Sequence, residues 1–238
     1  MKKIIIEFVL GVVIIGLGIW LYISIMEPVK FDNEYTKRRD ACAEKLKAIR
    51  TLEEAYNATY GCYCGSFDTL VNRLLNEDSM KVVGKTTNYD RIPADVDINE
   101  VTELEAIRMG YVTRTEVLVN PIRKYLEDGK FPYLDPDGLL KNKENIEITD
   151  AMREALENLR YVPYPKGSNL EFQLQAGTID RGGFTVPVFE CLVNLKDLLS
   201  DMDHQLVINK ISELENINRF PGWKVGDMTQ SITDGNFE

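Results

Sequence analysis

Residues 8–26 read FVLGVVIIGLGIWLYISIM, nineteen positions without a charge, behind a short head, Met1-Lys2-Lys3-Ile4-Ile5-Ile6-Glu7. A helix needs about 20 apolar residues to cross a hydrocarbon core roughly 30 Å thick. The run therefore predicts a membrane helix, with Trp20 and Tyr22 toward its far end, where amphipathic rings favour the interface. A cleaved signal peptide has a shorter apolar run of about 7–15 residues and a small-x-small cleavage site. Ser24-Ile25-Met26-Glu27-Pro28 is a poor site, so the expectation is an uncleaved anchor.

Beyond Pro28 the pattern becomes amphipathic. Phe31, Tyr35, Cys42, Leu46, Ile49, Leu52 (or Glu53), Tyr56 and Tyr60 recur at steps of three, four or seven, which places them on one helix face. Lys37, Arg38, Asp40, Glu44, Lys47 and Glu54 are expected opposite, and Gly61 is a natural stop. The helix is expected to continue the membrane helix, with a kink near Pro28. FDTLVNRLLN (67–76) predicts a second helix with Ser66 or Asp68 as cap. Residues 84–99 read as irregular, 100–108 as one or two helical turns, and YVTRTEVLV (111–119) alternates like a strand. The stretch 121–138 is turn-rich, and DAMREALENL (150–159) is helical.

From residue 160 the pattern turns to strands: RYVPY, LEFQLQAGTI and GFTVPVFECLVN. The last two meet at Asp180-Arg181-Gly182-Gly183, a hairpin by its turn chemistry. A short helix is expected over 196–202, a strand over 205–211, and a helix over 212–218 opened by Ser212 with Glu215 three residues on. The class is α+β: a membrane helix running into a long amphipathic helix, packed on a small antiparallel sheet domain. The expected division is an anchor with a short head (1–29), the stalk helix with a second short helix (30–80), and an α+β domain (81–238).

Composition narrows the chemistry. The 238 residues carry 28 Lys and Arg against 38 Asp and Glu, a net charge of −10, which argues against nucleic acid as a partner. One His and four Cys leave little for metal or His-based catalysis. Cys62 and Cys64, one residue apart, cannot form a relaxed disulfide with each other, but a disulfide involving either fits an oxidising compartment. Cys42 and Cys191 read as buried thiols. Asp135-Pro136-Asp137 lacks the alternating acidic loop of a calcium site and reads as a turn, and His204 reads as structural. No G-x-S-x-G, Walker loop, H-E-x-x-H or G-x-G-x-x-G is present. The expectation is a non-enzymatic protein with no cofactor.

Within the apolar helix, Glu7 at its mouth reads either as a snorkelling carboxylate or as a partner in helix–helix contact. Gly11 and Gly18 lie seven apart on one face, where small residues permit close helix approach. Lys2 and Lys3 favour a cytoplasmic N-terminus, although Lys30, Lys37, Arg38 and Arg39 lie just past the span. The expected topology is single-pass in the inner membrane with a periplasmic body.

The N-terminal third, an apolar helix with an early Glu7 followed by LKAIRTLEEAYNATYGCYCGSFDTLVNRL (46–74), resembles the layout of type IV pilins and type II secretion pseudopilins. Ala55, Tyr56, Tyr60, Gly61 and Tyr63 sit about where that family ends its stalk helix, while the head Met1–Glu7 does not end in the Gly of a prepilin peptidase motif. Over nearly its full length the chain also resembles uncharacterised single-span envelope proteins of Gram-negative bacteria. That likeness rests on EPVKF (27–31), LRYVPY (159–164), FQLQAG (172–177), VPVFE (186–190), HQLVIN (204–209) and RFPGWKVGDM (219–228). The envelope-protein resemblance leaves the function open. The long stalk, the acidic body and the lack of a catalytic constellation lead to the expectation of a membrane-anchored scaffold subunit of an envelope assembly, whose partners are the lipid bilayer and either other proteins or copies of itself. The alternative is a tethered module binding a peptide or envelope polymer through Tyr161, Tyr164, Phe220 and Trp223.

Overall fold

The computed structural model describes residues 2–93, 97, 101–143 and 146–238, with the side chains of the first nine residues outside the description. A single helix, α1 (Lys2–Tyr60), carries both the apolar run and the amphipathic stripe. It passes through Pro28, which has no N–H to offer the carbonyl of Ser24. Gly61 ends it at a φ of +73°, the left-handed conformation that glycine adopts without a Cβ penalty, and donates its N–H to Asn57 O at 2.8 Å.

The two halves of α1 have opposite surroundings. Leu10 through Ile25 expose their large apolar side chains. From Phe31 upward the stripe is covered: Cys42, Leu46 and Ile49 are fully buried, and Leu52 and Tyr56 nearly so. One hydrophobic cluster joins this stripe to α2 (Phe67–Asn76), α4 (Pro121–Glu127), α5 (Asp150–Glu157) and the sheet. In α2, Phe67, Leu70, Val71, Leu74 and Leu75 face inward. Ser66 is its N-cap residue by position but makes no capping hydrogen bond.

Two sheets form. The larger is antiparallel in the order β3 (Gln173–Arg181), β4 (Phe184–Asn194), β5 (Gly222–Gly226). β3 and β4 are joined through Gly182 and Gly183, both at positive φ, as a two-residue hairpin turn requires. The chain returns from β4 to β5 through α6 (Leu195–Leu198) and α7 (His204–Asn216). Residues 234–236 then pair along β5, with Asn236 N donating to Lys224 O at 3.1 Å. The smaller sheet is a two-stranded ribbon of β1 (Met80–Thr87) and β2 (Val112–Val119), capped at its tip by α3 (Glu103–Arg108).

Several expectations need correction. The strand expected at 205–211 and the helix at 212–218 are one helix, α7, and Ser212 lies in its interior. Its N-cap is Asp203, whose carboxylate accepts from Leu206 N at 2.9 Å. The irregular stretch that begins at residue 84 includes the second half of β1. The turn-rich segment opens with α4, where Asn120 caps and Pro121 takes the first helical position. RYVPY contributes a single bridge, Tyr161 to Glu171, rather than a strand.

Candidate functional site

Three places in the body gather polar chemistry, two of them against the buried face of α1. Nearest the exposed half, Arg38 falls four residues before Cys42, within the stripe's own register, and is buried rather than exposed as expected. Its guanidinium forks onto Asp201, with Nη2 to Oδ2 at 2.8 Å. Nη1 donates to Leu198 O at 2.8 Å, and the group stacks 5.0 Å from the Tyr164 ring centre. The Asp201 hydrogen bond holds the guanidinium more firmly protonated and pulls the carboxyl of Asp201 down. One turn of α1 from Cys42, Lys45 donates to Asn158 O at 2.8 Å and Tyr161 O at 2.7 Å. These two cations fasten backbone from beyond residue 157 onto the stalk.

Higher on the helix stands Glu53, with no solvent exposure. Its Oε2 accepts from Cys64 N at 2.8 Å, which folds the segment after Gly61 back over the helix end. Oε1 has no hydrogen-bond partner. Burial lifts its carboxyl to about 8, so near neutral pH it is largely protonated, a form that stands in this apolar setting without a counter-ion. Cys191, Cys64 and Tyr63 lie close enough for its charge to bear on them, and burial pushes both thiols up. Raised thiols are poor nucleophiles.

The third place is a groove of about 560 Å³ between α2 and α5, bordered by Asp68, Asn72, Arg153, Glu157 and Arg160. Arg160 pairs with Asp68 across it, and its charges of both signs balance.

The residues singled out from sequence do not converge on a reaction centre. Glu7 lies on the α1 backbone, with its side chain outside the described residues. Gly11 and Gly18 face open space, with no heavy atom within 4 Å of the position a Cβ would take. Cys62 is exposed and Cys64 buried, and all four cysteines are free thiols. Trp223 is buried beside Tyr35, Tyr164 is stacked under Arg38, and Phe220 is half-buried. Of the four aromatics of the alternative binding surface, three are therefore engaged in packing, and Tyr161 is the exposed member. Among the described residues, no group of three or more His, Cys, Asp or Glu side chains gathers as a metal site. Sequence spacing could have revealed Arg38 and Glu53, since both sit in register with Cys42, Leu46, Ile49 and Tyr56. The fold and these sites define an α+β body built around the upper half of one long helix. No protein-family model, curated protein or solved structure matches this chain.

Proposed function

We propose that the protein is a membrane-anchored structural subunit of a cell-envelope assembly, pilin-like or part of a secretion apparatus, with a cytoplasmic N-terminus and a periplasmic body. The observation that carries this reading is α1 itself, one helix with its lower half bare and its upper half serving as the spine of the body's core. An anchor continuous with the core transmits position and orientation from membrane to body, as a scaffold needs. The chemistry along the spine supports this, because Arg38, Lys45 and Glu53 are all engaged in holding the body to the helix. The test is native size and crosslinking of the full chain after gentle detergent extraction. The expected result is a complex larger than one chain, and a strictly monomeric protein that captures no partner would overturn it.

A further inference from the structure

The β1–β2 ribbon stands apart from the rest of the body. It is a two-stranded sheet of eight residue pairs with solvent on both faces, whereas isolated two-stranded sheets are marginal in water. Val83, Val117 and Leu118 are about half exposed on it. Among the described residues, no backbone hydrogen bond reaches the outer edge of either strand.

The two edges differ in charge. A strand pairing antiparallel with its own copy brings residues equidistant from the axis opposite one another. Along β1, an axis at Val83 would set Lys81 against the partner's Lys85, and lysines on an edge repel such pairing. Along β2, an axis at Thr115 sets Arg114 against Glu116 of the partner subunit and Glu116 against the partner's Arg114. The same register sets Leu118 against the partner's Val112. Opposite-charge cross-strand pairs are attractive and like charges directly opposite are repulsive. Arg114 already holds Glu103 of α3, and Lys85 reaches the same carboxylate, so Arg114 is steadied before any partner arrives. Glu116 makes no ion pair among the described residues and is free to accept one.

We propose that β2 is a homotypic docking edge: two copies pair antiparallel through β2, centred on Thr115, giving a four-stranded sheet in the order β1-β2-β2-β1. This rests on the scaffold reading and names its self-contact.

A cysteine on the axis tests it. Paired Cα atoms lie about 4.5–5.5 Å apart, within disulfide range. Full-length Thr115→Cys, in a Cys62→Ser background and in mild detergent, should form a disulfide dimer on gentle oxidation. Val83→Cys, on the axis considered for β1, should form about tenfold less. Adding Glu116→Arg, which turns both attractive pairs repulsive, should lower the Thr115→Cys dimer about tenfold. Equal crosslinking from the two cysteines, or no response to Glu116→Arg, would overturn the proposal. Native size separates the two readings: an oligomer without the Thr115→Cys dimer removes this contact alone, while a monomer removes both.

Discussion

Between Leu10 and Val29, α1 turns large apolar side chains outward on every side; from Phe31 upward, the apolar residues form one stripe that is covered, with Tyr35 and Tyr60 half-buried. The same backbone thus uses two means of burial. From Leu10 to Ile25 the apolar side chains pack on no other part of this chain and need an apolar surrounding, which on the proposed reading is lipid. The upper half makes its own, with the sheet and α2 supplying the opposing surface. What differs is the angular spread of apolar residues, all round below and one-sided above. Body stability should therefore reside in one half of the helix.

The largest expected effect comes from the covered stripe. Leu46→Ala or Ile49→Ala removes a fully buried side chain and should cost about 2–5 kcal/mol of body stability. Lys47→Ala and Glu54→Ala, exposed on the same turns, should change it by no more than about half a kcal/mol. Denaturant unfolding of the full chain in mild detergent reads the difference. Equal effects on the two faces would break the comparison, since the stripe would then not be the core's spine.

Next in size is a pH effect confined to the upper half. Folding raises the Glu53 carboxyl from 4.5 to about 8, so between those values the folded chain keeps a proton that the unfolded chain has released. Its contribution is full below about 4.5 and is lost as pH rises through 8, a decline on the order of a few kcal/mol. Glu53→Gln should remove that decline and leave the variant more stable than the parent at pH 9. Unfolding midpoints from pH 5 to 9 check this, and parallel profiles for the two proteins would mean Glu53 is not buried as a neutral acid.

Arg38 gives a smaller effect at the boundary between the halves. Arg38→Ala loses hydrogen bonds to Asp201 and Leu198 O, but it leaves behind a carboxylate that is nearly half exposed and can be rehydrated. The expected loss is about 2 kcal/mol, against almost none for the neighbouring Lys37→Ala. A loss as small as that of Lys37→Ala would mean the exposed Asp201 side screens the whole cluster.

How far the sequence reveals all this follows from how one-sided each environment is. The α1 stripe, α2 and the β3–β4 hairpin face a core on one side only, so their spacing and turn residues declare them. β1 escapes because its two faces are both solvated: KVVGKTT has no alternation to read. α7 reads as two elements because QLVINKI is rich in β-branched residues and Ser212 resembles a cap. Only the whole of 204–216 shows Val207, Ile211 and Leu214 at helical spacing behind Asp203. The buried ionisable side chains are hidden by type rather than position. Arg38 and Glu53 keep the stripe's register, and their partners, Asp201 and the Cys64 amide, come from segments that no local pattern links to the helix.

The smallest expected effect is the sharpest test of the lower half. Gly11→Leu and Gly18→Leu add bulk where no atom of the fold lies within 4 Å, and removing glycine from a helix interior costs nothing in propensity. Body stability in detergent should therefore stay within about half a kcal/mol of the parent. A clear drop would show that the body folds back onto the apolar half and that the two halves are not independent. The same variants also report on association, because small residues on one helix face matter when a second helix packs there. If the native complex shrinks while the body's unfolding midpoint holds, the lower half has an assembly role separate from folding. If both stay unchanged, Gly11 and Gly18 face lipid alone, and the contacts between subunits lie in the body.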